Sequence, residues 1–147
     1  MKAQEGCGKE AVIARSKHAL EAIGARLGID YALVFGSAVK ETFMGESDVD
    51  FGVKFKKIER TKELLTKIAV ITDALEAELK RDVDIVIMNG ASLGLCYEIF
   101  SDGEAVFISD EERFFEDKIK TVTQYLDFKY YVERHWEEKM EQVLYGT

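Results

Sequence analysis

Residues 30–37 read Asp-Tyr-Ala-Leu-Val-Phe-Gly-Ser and, ten residues further on, residues 48–55 read Asp-Val-Asp-Phe-Gly-Val-Lys-Phe. The first run is apolar from Tyr31 to Phe35 and breaks at Gly36, which is the pattern of a buried strand over 30–35. The second run alternates. Val49, Phe51, Val53 and Phe55 fall on one face, and Asp48, Asp50, Gly52 and Lys54 on the other, so this is a strand with one apolar side. Between them, Gly36-Ser37 opens a short segment with helical character up to about Gly45.

Upstream, Val12, Ile13, Leu20, Ile23 and Leu27 recur at helical spacing, which predicts a helix over 9–27 closed by Gly28. Downstream, Leu64, Leu65, Ile68, Ile71, Leu75 and Leu79 predict a helix over 59–80. Residues 82–88 form another strand, with Asp82, Asp84, Val86 and Met88 on one face and Val83, Ile85 and Ile87 on the other. A short helix over 91–101 and an edge strand over 104–109 follow. Ser109-Asp110-Glu111-Glu112 fits a capping box ahead of a helix, or pair of helices, reaching about Leu144. The order predicts an α/β domain with a small mixed sheet flanked by helices. Residues 10–109 are the expected domain, and 110–147 its helical C-terminal extension.

At 147 residues the chain suits one domain with a real core. Lys and Arg number 20 against 28 Asp and Glu, a net charge of -8, which argues against a dedicated nucleic-acid binder because phosphates need cations. No apolar run approaches the roughly 18 residues of a membrane span, and no signal-like segment opens the sequence. The only cysteines, Cys7 and Cys96, are far apart, so neither a disulfide framework nor a zinc knuckle is expected. A cytoplasmic setting follows as the expectation.

The chemistry lies in Gly36-Ser37 and Asp48-Val49-Asp50. Aspartates at i and i+2 of a strand share a face, with Cα atoms about 6.6 Å apart, and their carboxylates suit hard cations such as Mg²⁺. Gly36 lets backbone approach a phosphate closely, and Ser37 adds a hydroxyl and an amide. A phosphate cradle beside paired carboxylates is what metal-assisted nucleotidyl transfer needs. A third carboxylate is wanted, and Asp84, within the apolar run of the next strand, is the candidate. Asp82, after Lys80-Arg81 at the strand's entry, reads as a solvated end. An aspartate such as Asp84, deep in the sheet, is costly to bury unless paired or bound to metal.

This pattern resembles the nucleotidyltransferase superfamily related to DNA polymerase β, and within it the minimal nucleotidyltransferase (MNT) antitoxins. Gly36-Ser37, Asp48-Val49-Asp50 and Asp84 carry the resemblance over roughly residues 10–90. Tyr125-Leu126-Asp127-Phe128-Lys129 adds a short likeness to their C-terminal segment. The family often places Arg where this chain has Lys40, which keeps the charge and loses bidentate phosphate geometry. The resemblance implies a polymerase β palm-like fold. It implies two Mg²⁺ ions held by Asp48, Asp50 and Asp84, with ATP phosphates on Gly36, Ser37 and Lys40. It further implies an antitoxin that transfers AMP from ATP to a tyrosine of a HEPN-domain ribonuclease toxin, without direct nucleic-acid binding and with a homo-oligomer compatible. The alternatives are a non-catalytic toxin-binding module and a small-molecule nucleotidyltransferase of the antibiotic-modifying type. Aromatic residues of the tail, from Phe114 to Tyr145, are expected either to pack on the domain or to form a partner surface.

Overall fold

The computed structural model describes residues 8–39 and 48–146. Its elements are α1 (Lys9–Ile23), β1 (Ile29–Phe35), a 3-10 turn (Gly36–Val39) and β2 (Val49–Phe55). Next come α2 (Thr61–Leu79), β3 (Val83–Ile87), a second 3-10 turn (Met88–Gly90), α3 (Leu93–Asp102), β4 (Glu104–Ile108) and α4 (Glu111–Tyr145). The strands form one mixed sheet in the order β3-β2-β1-β4. β1 runs antiparallel to both β2 and β4, whereas β2 and β3 are parallel, with α2 as the crossover that a parallel pair needs.

Both faces of the sheet are covered, so β1, in the interior of the sheet, is buried at all seven positions. On one face Val12 and Leu20 of α1 and Ile71, Leu75 and Leu79 of α2 meet Ala32, Val34, Val49, Phe51, Val53 and Phe55. These are the apolar positions of the alternating run in β2, as its period requires. On the other face Tyr31, Leu33 and Phe35 pack with Met88, Ile99, Phe100 and Phe114 from the second turn, α3 and α4. The approach of α3 is close: a Cβ on Gly52 would lie 2.9 Å from Cγ2 of Ile99 and 3.1 Å from the sulfur of Met88. By alternation Gly52 shares the polar face of the aspartates. It is buried there because α3 lies directly on it.

Three expectations shift. α1 ends at Ile23, not 27, and turns carry the chain through Gly28 into β1. The N-cap of α4 is Asp110, whose side chain accepts from the Arg113 amide; Ser109 instead donates its backbone N–H to the Asp30 carbonyl and stays with the sheet. The helical character expected up to Gly45 is a 3-10 turn over 36–39, and the remainder, with Lys40, lies outside the described residues.

α4 is a single helix of 35 residues, about 52 Å long at 1.5 Å per residue. Its first turns are docked. Nε of Arg113 donates to both carboxylate oxygens of Asp30 at 3.0 Å, and the Tyr31 hydroxyl donates to Asp117 Oδ2 at 2.9 Å. Tyr125 stacks on Tyr97 of α3 at 4.0 Å. Beyond it, Leu126, Phe128, Tyr130, Tyr131, Trp136, Met140, Val143 and Leu144 are exposed. Among the described residues no helix is long and apolar enough to cross a membrane.

Candidate active site

Asp50 pairs with Phe35 across the antiparallel β1/β2 ladder and with Asp84 across the parallel β2/β3 ladder. Paired residues on neighbouring strands, about 4.8 Å apart, point their side chains to the same face, so the carboxylates of Asp50 and Asp84 stand side by side. Asp48 lies two residues back on that face. Gly36 follows Phe35, at the same end of the sheet.

Gly36 serves the carboxylates directly. Its φ of +76° belongs to the left-handed region, and a Cβ there would stand 2.8 Å from Asp50 Oδ2. Any other residue would be strained and would strike the carboxylate. Gly36 thus has a role towards Asp50 besides the phosphate approach expected of it, and this role arises because Phe35 pairs with Asp50.

Asp50 is half-buried, and its carboxyl is pushed up from the ordinary aspartate range, first by desolvation, then by the charges of Asp84 and Asp48. Among the described residues none of the three forms an ion pair. Among the described residues the site is a concentration of negative charge with no cation paired to it. The carboxylates line one face without closing on a point: among the described residues, no three His, Cys, Asp or Glu stand close enough to hold one ion.

Asp84 departs from its expected burial. It is exposed, as Asp82 is, because β3 is an edge strand whose polar face at this end is left uncovered. Register, not depth, separates the two aspartates: Asp84 is level with Asp50, while Asp82 precedes the ladder and offers its carbonyl to the Val49 amide at 2.9 Å. Ser37 is half-buried in the 3-10 turn after Gly36. The histidines stand apart from this group: His18 of α1 pairs with Glu78 of α2 at 2.8 Å, and His135 lies on exposed α4.

The family model for polymerase beta nucleotidyltransferases matches residues 20–112, more than half of the chain, and spans every described member of the site. The chain belongs to the polymerase beta nucleotidyltransferase family. Among solved structures, this nucleotidyltransferase is similar to the MNT antitoxin complex with tri-AMPylated HEPN toxin from Shewanella oneidensis. That match has a TM-score of 0.61 at 16% identity and covers 87% of this chain and 98% of the other. A toxin–antitoxin structure with AMP-PNP matches at TM-score 0.62 and 18% identity, covering 84% and 98%. A mutant of the toxin–antitoxin MntA-HpeT, with two aspartates two residues apart changed to glutamate, matches at 0.63 and 17%, covering 85% and 98%. At these identities the likeness is one of fold. No curated protein matches the sequence.

Proposed function

We propose that this nucleotidyltransferase is the antitoxin of a HEPN/MNT pair and transfers AMP from ATP to a tyrosine hydroxyl of its partner toxin. The observation that carries the reading is the alignment of Asp50 with Asp84 beside Gly36, two carboxylates that no described residue neutralises. Taken in pairs, Asp48 with Asp50 and Asp50 with Asp84 would each hold a Mg²⁺ ion, since hard oxygen donors suit that cation. Bound there, Mg²⁺ would supply charge neutralisation for the triphosphate. Gly36 and Ser37, with Lys40, would hold the phosphates. The AMP-PNP and tri-AMPylated neighbours support ATP and AMP transfer as the chemistry.

In the transfer, the acceptor hydroxyl oxygen forms a bond to the α-phosphorus. The bond from that phosphorus to its bridging oxygen breaks, and pyrophosphate leaves. The Asp84 carboxylate takes the hydroxyl proton. Its exposure on an edge strand fits a large acceptor, because a protein tyrosine must reach it from solvent. The added AMP would then block the toxin's RNA site by charge and bulk.

The projecting part of α4 supports a protein partner. Phe128, Trp136 and Met140 are half or more exposed, an apolar surface beyond what the sheet uses. The test is incubation with labelled ATP, Mg²⁺ and the product of the neighbouring gene. Label on the toxin, lost when its tyrosines are replaced by phenylalanine, is the expected result. Toxin neutralised with no label would leave only the binding module, and label on a small molecule alone would indicate the antibiotic-type activity.

A further inference from the structure

The position of Asp84 beside Asp50 depends on a strand that has little hold of its own. β3 has five residues, lies at the sheet edge and pairs in parallel with one neighbour. Its alternation leaves the register ambiguous. A slip of one residue would turn Asp84 towards the apolar face and is opposed by the core. A slip of two keeps Val83, Ile85 and Ile87 on the side of the α1/α2 core, yet sets Asp82 or Val86 beside Asp50. Hydrophobic patterning therefore admits registers that the site does not.

Asn89 removes this ambiguity. Each β2/β3 pair, from Val49 with Val83 to Val53 with Ile87, is 34 residues apart. Asn89 and Phe55 are also 34 apart, and they are joined twice: Oδ1 of Asn89 accepts the Phe55 amide at 2.9 Å, and Nδ2 donates to the Phe55 carbonyl at 2.9 Å. The main chain has by then left the strand for the Met88–Gly90 turn, so the side-chain amide stands in for a ladder residue. At the entry, Glu76 of α2 accepts the Val83 amide at 3.0 Å. Asp84 sits between the two fastenings. An amide at position 89 is specific for this contact, since it alone offers donor and acceptor side by side to one peptide.

We infer that Asn89 is a positioning residue for the carboxylate pair: its double bond to the Phe55 backbone sets the β3 register that brings Asp84, rather than Asp82, level with Asp50. The inference rests on the nucleotidyl-transfer reading of the site for its consequence, and on the ladder alone for its geometry. Two variants test it. Asn89→Ala removes both bonds, and Asn89→Asp, of nearly the same shape, keeps the acceptor and loses the donor. Tyr31→Phe, which breaks the hydrogen bond to Asp117 and leaves β3 untouched, is the control.

Two readouts are taken together: NMR contacts between residues 50 and 84 in the metal-free protein, and single-turnover AMP transfer at saturating ATP. Expected for both Asn89 variants are weakened or doubled 50–84 contacts and a rate about tenfold lower or worse, as misplacement of a reacting group produces. The KM for ATP should change little, and Tyr31→Phe should leave both readouts at wild type. Unchanged 50–84 contacts in the Asn89 variants would overturn the inference, as would altered contacts with an unchanged rate. Wild type that shows the contacts but transfers nothing to any acceptor would instead sink the functional reading, while altered contacts in the variants would still uphold the register device.

Discussion

Asp30 and Asp50 are aspartates on neighbouring strands of one sheet, near opposite ends, and they are treated in opposite ways. Asp30 is 3% exposed, and both oxygens of its carboxylate accept from Nε of Arg113, which anchors α4. Asp50 is half-buried and faces two further carboxylates. Burial of a charge is tolerated where the fold supplies an opposite one and costly where it does not. The chain meets this condition at Asp30 from its own sequence. At Asp50 no described residue supplies an opposite charge.

The largest expected effect is on the uncompensated side. Asp48→Asn with Asp50→Asn should lower Mg²⁺-dependent AMP transfer by about 10³-fold or more, on the scale of losing electrostatic stabilisation of a transferring phosphoryl group. Thermal stability without metal should hold or rise, because two crowded carboxylates are removed. Undiminished transfer would end the contrast. Next comes the division between Asp84 and Asp82. Asp84→Asn should cost about 10²-fold in single-turnover transfer, and Asp82→Asn well under tenfold. The reverse ranking would mean a β3 register two residues away.

On the compensated side the effect should be on stability alone. Asp30→Asn weakens a charge-assisted contact and should cost about 2 kcal/mol in denaturant unfolding, with transfer per folded molecule unchanged. Loss of transfer in the folded variant would show that the two ends are coupled. The smallest effect is in pH dependence. The Asp50 carboxyl is raised above the ordinary value of about 3.9, so its ionisation opposes folding. Its cost is absent below the unfolded pKa, grows as pH rises from there to the folded pKa, and is constant above. Wild type without metal should therefore gain stability relative to Asp50→Asn as the pH is lowered through that window. Calorimetry of both proteins across it is the check, and parallel curves would contradict the crowding.

α4 presents a second contrast, between turns that dock and turns that do not. Phe114 is 4% exposed, against 63% for Trp136 on the same helix. Phe114→Ala should cost about 3 kcal/mol, whereas Trp136→Ala should stay within about 0.5 kcal/mol in the isolated protein and show its effect only with a partner present.

The strands, the helices and the aspartate pair were legible because each writes its period locally. Val49, Phe51, Val53 and Phe55 alternate, so the face carrying Asp48 and Asp50 follows from four neighbouring residues. Gly36-Ser37 could be read as a turn after an apolar strand for the same reason. Features whose deciding partner is distant in sequence were not legible in this way. Asp84 looked buried because its neighbours in sequence are apolar, yet exposure depends on β3 being an edge. Asn89 looked like the end of a strand, and only its meeting with Phe55 discloses an extension of the ladder.

The sequence by itself thus determined an α/β domain with an acidic strand face beside a glycine turn, since backbone period and side-chain polarity act over a few residues. Tertiary structure alone decided that Asp84 stands level with Asp50, that Asp30 takes Arg113 from 83 residues away, and that α4 leaves the body after Tyr125. Those outcomes depend on strand register and on pairing of charges between distant segments. Local pattern specifies register only to within two residues, and it carries no information on which opposite charge will arrive.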